Sequence, residues 1–212
     1  MQDAAVFWDK VSAKYAKAAI SDEAAYELTL GKTRGYLNKT DRVLEVGCGT
    51  GSTALLLAPD VGEIIASDLS GKMLEIGQEN AKKQAVSNIS FLHADVLGGA
   101  LDAEPCDAVL AFNVLHLLDD APAAVKKISG LLKPGGLFIS KTVSKFGKNT
   151  PLKWRLMKLV LPLLQMIGKA PYVNLMAVHE LEDLISDGGF QILESGNYPE
   201  THMSRYIVAR KV

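Results

Sequence analysis

Apolar residues change their period along this chain, and the changes mark its elements. Over residues 1–38 they recur at helical spacing. Val6, Phe7, Val11 and Tyr15 suit one helix face, and Tyr26, Leu30 and Leu37 continue a stripe. Ser21-Asp22-Glu23 reads as a helix start, because a short polar side chain accepts from free first-turn amides and acids suit the positive end. Short apolar, β-branched runs then predict strands at 42–46, 63–68, 89–92, 108–112 and 137–140. Helical patterns over 54–58, 71–84 and 123–132 separate them, the last stopped by Lys133-Pro134-Gly135-Gly136.

Strands alternating with helices argue for a parallel sheet covered on both faces, and right-handed crossovers make it a doubly wound α/β fold. The end of the chain departs from that rule. Runs at 191–194 and 205–209 are separated by a turn-rich loop with no helix, so they are expected to pair as an antiparallel hairpin at one sheet edge. The reading is one domain in four parts: an N-terminal helical cap (1–40), a cofactor-binding core (41–143), a helical insert or lid (144–188) and a terminal β-hairpin (189–212).

Composition narrows the class. The 212 residues are 48% hydrophobic and 22% charged, which excludes disorder along the whole chain. A net charge of -1 makes the molecule as a whole a poor nucleic-acid binder. Cys48 and Cys106 are too few for a disulfide framework, and no Cys/His cluster has metal-ligand spacing, so no metal is expected. The first residues lack a basic flank leading into an apolar core, and the stretch from Leu159 to Gly168 is far short of a spanning helix. A cytoplasmic protein is expected.

The chemistry is concentrated in Val43-Leu44-Glu45-Val46-Gly47-Cys48-Gly49-Thr50-Gly51, with glycines at alternate positions between the first strand and its helix. Glycine suits a backbone that turns tightly and approaches a ligand closely. Asp68 ends the second strand about twenty residues on, where an acid grips ribose hydroxyls. A dinucleotide site wants G-x-G-x-x-G; here the third glycine is one residue early and position 52 is Ser. A nicotinamide-dependent reductase is therefore the alternative reading, together with a non-catalytic cofactor-binding protein.

The spacing with Glu45 ahead of the loop resembles class I S-adenosylmethionine-dependent methyltransferases of the small-molecule type, such as quinone-biosynthesis and lipid methyltransferases. The resemblance runs through Ile65-Ala66-Ser67-Asp68-Leu69-Ser70 and Phe91-Leu92-His93-Ala94-Asp95. It continues through Asp107 to Leu117 and Leu132-Lys133-Pro134-Gly135-Gly136, covering about residues 41–143. It implies a seven-stranded sheet of order 3-2-1-4-5-7-6 with strand 7 antiparallel. It also implies that Gly47, Cys48, Gly49 and Gly51 line the methionine moiety of S-adenosylmethionine, while Glu45 orients its amino group. Asp68 would bind the ribose hydroxyls, Leu69 and Met73 pack on adenine, and Asp95 take the adenine amino group beside the Val96 amide. Asn113 would face the methionine part. Tyr15 either closes over the cofactor or packs in the core.

The implied activity moves a methyl group to an oxygen, nitrogen or carbon of a small, apolar or amphiphilic acceptor, leaving S-adenosylhomocysteine. No catalytic residue is fixed by the pattern. His116, just after the fourth strand, and His202, between the last two strands, are the candidates for a general base, against a packing or loop role for each. His93 and His179 do not look catalytic.

From Lys141 through His179 there is no Asp or Glu, while Lys141, Lys145, Lys148, Lys153, Arg155, Lys158 and Lys169 all fall there. Arg155, Lys158, Pro162, Gln165 and Lys169 step along one side of a helix kinked at the proline. Leu152, Leu156, Leu159, Val160, Leu163 and Ile167 form the other side. The segment reads as a cap over the acceptor pocket, or as a peripheral contact with anionic membrane over 145–169.

Overall fold

The computed structural model describes residues 4–101, 104–144, 160–161, 163–166, 168–200 and 203–212. Two helices, α1 (Ala4–Ala16) and α2 (Glu23–Arg34), precede the sheet. Then β1 (Arg42–Val46), α3 (Ser52–Leu57), β2 (Glu63–Asp68), α4 (Gly71–Lys83), β3 (Ile89–His93), β4 (Cys106–Phe112), α5 (Ala121–Leu131) and β5 (Leu132–Val143) alternate. The chain closes with α6 (Val178–Asp187), β6 (Phe190–Asn197) and β7 (Ser204–Lys211).

The sheet has seven strands in the order β3-β2-β1-β4-β5-β7-β6. The strands β3, β2, β1, β4 and β5 pair in parallel, and β7 runs antiparallel to both β5 and β6. The expected fold class and strand order are therefore found. One element is longer than expected: β5 begins at Leu132, because Leu132 already pairs with Cys106 before a register shift, with Gly135 at φ 75° inside it. The Lys-Pro-Gly-Gly tetrad thus ends α5 and also forms the irregular start of a strand.

Strand residues alternate between two cores, one on each sheet face. Leu44, Val46, Ile65, Val109, Ala111 and Phe138 pack with α5 and α6. Val43, Ile64, Ala66, Leu110, Ile139 and Val208 face Leu30 of α2 and the short α3. Burying each of the large side chains contributes about 1.5–3 kcal/mol. Glu45 shares the parity of Val43, and Lys141 that of Ile139. Both buried charges therefore lie on the α2/α3 face, at the carboxyl ends of their strands, where open α/β sheets hold ligands.

The N-terminal helices are fastened by polar contacts. At α1, Asp9 Oδ1 accepts from Ser70 Oγ (2.6 Å) and from the Lys72 amide (3.2 Å), which pins α1 to the start of α4. The Ser70 hydrogen bond is the main reason the Asp9 carboxyl sits below its usual range. At α2, capped by Asp22 as its sequence suggested, Lys32 and Tyr36 both reach Glu194 of β6 at 2.7 Å. On α1 the buried residues are Phe7 and Ser12, whereas Val6 and Tyr15 are exposed, so the expected apolar stripe is narrower than its spacing implied.

Among the described residues, no helix is long and apolar enough to cross a membrane. Most of the basic segment, including Lys145, Lys148, Lys153, Arg155, Lys158 and Pro162, lies outside the described residues. Within the rest, Val160, Leu163 and Met166 are exposed rather than packed. Lys141 is a correction: it is buried in β5 and is no part of a basic lid surface.

Candidate functional site

The glycine loop leaves β1 at Gly47 and enters α3 at Gly51. Gly47 has φ +65°, and a Cβ there would lie 2.5 Å from Val114 Cγ2, so neither the backbone nor the space admits a side chain. Gly51 has φ +68° and is closed off by Phe91, 2.8 Å from where its Cβ would be. The loop is held from below, where the Cys48 amide donates to Ser67 O (2.9 Å) and the Gly51 amide to Cys48 O (2.9 Å).

Asp68 joins the loop to the next crossover. Its Oδ2 accepts from the Gly49 amide and its Oδ1 from the Ser70 amide, both at 2.8 Å. The Leu69 amide donates to the same carboxylate, and the residue lines the cavity above the loop with acceptor capacity to spare. Burial holds its carboxyl above the ordinary aspartate range despite these bonds.

That cavity is partly open to solvent and has a volume of about 90 Å³. Gly47, Gly49 and Asp68 form its floor, and Leu69, Met73, Val114, Leu117 and Leu118 supply apolar walls. From α1 come Ala4, Trp8 and Tyr15. Trp8 and Tyr15 meet edge to face at 6.2 Å, and the Tyr15 ring stands above Gly49. Phe112 and Asn113 complete the lining at the end of β4. Asn113 adopts φ 56°, a left-handed conformation that costs most side chains ~1–2 kcal/mol and that asparagine tolerates.

Glu45 lies beneath the loop, 2% exposed. Its carboxyl takes a bond from the Ala54 amide, while Oε2 has no partner. Burial is the main cause that pushes its pKa up to about 8, with the charge of Asp68 adding to it. An unfolded glutamate titrates near 4.5. Between pH 4.5 and about 8 the folded chain therefore holds a proton that the unfolded chain has released, and stability falls as pH rises through that window. Glu45→Gln is expected to flatten this slope and to melt above the parent protein at pH 8.5. Thermal melts from pH 5 to 9 test it, and an unchanged slope would count against the buried acid.

Of the residues expected in the site, Tyr15, Gly47, Gly49, Asp68, Leu69, Met73 and Asn113 line this cavity. Glu45 and Gly51 stand behind the loop. Cys48 is half-buried with its thiol pushed well above the usual range by burial, so it is no nucleophile. Asp95 is exposed, and its Oδ1 accepts from the Leu97 amide at 2.9 Å in a local turn, which is the capping role its residue type allows. Val96 packs in the core. His116 is buried on a turn of 3₁₀ helix, outside the cavity lining, with Nδ1 unpartnered; burial pushes its pKa down to about 4, so it is neutral at pH 7. His202 lies outside the described residues.

Sequence reasoning missed Trp8, Phe112, Val114, Leu117 and Leu118 as walls, and Asp9 as the anchor of α1. One signal was present: Trp8 and Tyr15 are seven residues apart, two helical turns on one face.

Residues 43–136 match the profile of the methyltransferase domain family. An uncharacterised methyltransferase of Mycobacterium tuberculosis is 35% identical over 97 residues, 46% of this chain and 48% of that protein. A demethylmenaquinone methyltransferase of Staphylococcus aureus is 30% identical over 112 residues, 51% of this chain and 46% of its own length. The chain thus spans about half the length of the curated relatives it matches. Among solved structures, magnesium protoporphyrin IX methyltransferase from Synechocystis, with bound SAH, superposes with a TM-score of 0.69 at 19% identity, covering 98% of this chain and 94% of that one. A cyclase shares the fold as well, with a TM-score of 0.70 at 21% identity over 92% of this chain and 83% of the other. The segment from Val43 to Gly136, which carries the glycine loop, Asp68 and Asn113, is thus the part of the chain that is similar to the methyltransferase domain family, and the seven-stranded sheet is the fold it shares with these structures.

Proposed function

We propose that this protein is a methyltransferase using S-adenosylmethionine, acting in the cytoplasm on a small, apolar or amphiphilic acceptor. The observation that carries the reading is one cavity lined by the glycine loop and Asp68, with Glu45 buried behind that loop and one of its oxygens unpartnered. A buried acid with an empty acceptor position suits a ligand that brings a cation or donor there. The apolar Leu69 and Met73 suit a purine face.

When bound, S-adenosylmethionine supplies a methyl group on a sulfonium, which a nucleophile displaces in line. Asp68 holds the ribose hydroxyls and at the same time fixes the Gly49 amide. Glu45 is mostly protonated at pH 7 without ligand, and an ammonium group against it favours the carboxylate, so binding releases a proton. Trp8, Tyr15, Leu117 and Leu118 exclude water from the reacting end. Asp95 keeps its free carboxylate oxygen for the adenine amino group. Among the described residues of the lining there is no histidine or lysine. The protein then acts chiefly by alignment, and an acceptor that arrives ionised needs no base.

Calorimetry with S-adenosylhomocysteine and, separately, with NADH is the test. The homocysteine ligand is expected to bind with proton release and NADH not to bind. The opposite preference would favour the reductase reading. Binding without methyl transfer to any of a panel of phenols, enols and amines would favour a non-catalytic protein.

A further inference from the structure

A second, smaller cavity lies across Phe112 and Asn113 from the first, and these two residues line both. It opens to solvent and has a volume of about 40 Å³. Its walls carry hydroxyls from α2 and α3, those of Tyr26, Thr29, Thr33 and Thr53. At its inner end is Lys141, 8% exposed. The ammonium donates to Thr29 Oγ1 at 3.1 Å, and among the described residues no carboxylate lies within ion-pair distance of it. Among the described residues, the acid whose charge bears on it is Asp22, at the cap of α2. A cation buried without a counter-ion is costly, and burial accordingly holds this amine below the ordinary lysine range.

Thr29 does not need the lysine. Its hydroxyl can donate to Ala25 O or Tyr26 O, both at 3.0 Å, inside its own helix. Lys141 is thus not required to satisfy a buried partner, and an apolar side chain of equal length would suit the fold as well or better. What the amine suits, with the one hydroxyl proton that the Tyr26–Thr53 pair leaves free, is an anionic oxygen entering the cavity from solvent; the Thr29 and Thr33 protons are spent on helix carbonyls.

We propose that this cavity binds the ionised oxygen of the acceptor, as a carboxylate or an ionised enol or phenol, and so selects acidic acceptor molecules. The proposal rests on the methyltransferase reading of the neighbouring cavity, since Phe112 and Asn113 carry a molecule bound at Lys141 directly beside it. The same chemistry would suit the carboxylate at the amino-acid end of the cofactor. The sheet favours the acceptor, because β4 stands between β1 and β5, placing the strand of Lys141 two spacings, ~9.5 Å, from that of Glu45.

Benzoate and benzamide, alike in shape and differing in charge, are the probes. Isothermal titration at pH 7.5, with and without S-adenosylhomocysteine, is expected to show benzoate binding in the millimolar range, at least roughly tenfold tighter than benzamide. Lys141→Met is expected to lose that preference, to bind S-adenosylhomocysteine within about threefold of the parent, and to melt at the same temperature or higher. Equal binding of the two probes by the parent protein would overturn the proposal without any variant. A loss of about tenfold or more in S-adenosylhomocysteine affinity in Lys141→Met would overturn it too, assigning the amine to the cofactor's carboxylate. Lys141→Gln repeats the comparison should Lys141→Met not fold. Failure of the parent to bind S-adenosylhomocysteine would overturn the methyltransferase reading instead, and the benzoate preference measured without it still judges the anion site.

Discussion

Asp68→Ala is expected to weaken S-adenosylhomocysteine binding by roughly ten- to a hundredfold from the lost ribose contact alone, since a hydrogen bond to a charged group contributes ~1.5–3 kcal/mol. The structure makes the full effect larger. The same carboxylate accepts from the Gly49 and Ser70 amides, so its removal also frees the glycine loop and the turn into α4. A lower melting temperature should therefore accompany the lost affinity. Asp68→Asn separates the two effects. Its amide oxygen can still accept one of the two backbone bonds, but its NH₂ faces the other donor, so an intermediate loss of both affinity and stability is expected. Calorimetry and thermal melts on both variants check this. Parent-like affinity in a folded Asp68→Ala would sink the ribose assignment.

Gly47→Ala is expected to cost about 2–5 kcal/mol of stability and to abolish cofactor binding. A left-handed backbone costs an alanine ~1–2 kcal/mol, and overpacking a filled site a further ~1–3 kcal/mol. The overpacked neighbour is Val114, whose Cγ2 and Cβ would stand 2.5 and 2.8 Å from the new methyl group. Set against a typical stability of ~5–15 kcal/mol, this is a large fraction of the whole. Urea denaturation of Gly47→Ala in the parent and in a Val114→Ala background isolates the steric part. In the second background the substitution should cost less, because the 2.5 Å contact with Cγ2 is gone, while the backbone strain and the 2.8 Å contact with Cβ remain. Strictly additive costs would show that the clash with Val114 is not the cause.

Both predictions concern residues that were legible in the sequence, because each belongs to a local pattern. A glycine loop between strand and helix, and an acid at the end of the next strand, are set by backbone conformations that a few neighbouring residues dictate. The strands were legible for the same reason, since a run such as Ile64-Ile65-Ala66 can be buried on both faces only as a central strand. The reversed hairpin at residues 190–211 was legible because no helix separates its two runs.

The charged residues behaved differently. Lys141 reads in the sequence as the first of seven cations in an acid-free stretch, and only the pairing of β5 between β4 and β7, with α2 packed across it, buries that amine beside Thr29. Asp9 reads as a surface acid of a helix, and becomes the anchor of α1 only because Ser70 and the Lys72 amide arrive from sixty residues away. The buried side chain of His116, the turn that occupies one oxygen of Asp95, and the orphaned oxygen of Glu45 depend in the same way on what other segments bring near. Backbone form follows from neighbours in the chain, so the strands, the helices between them and the glycine loop were legible locally, while the strand order came from the family resemblance. Protonation and partnership follow from neighbours in space, so the packing of distant segments settles which charges are spent on holding the fold and which are left facing a ligand.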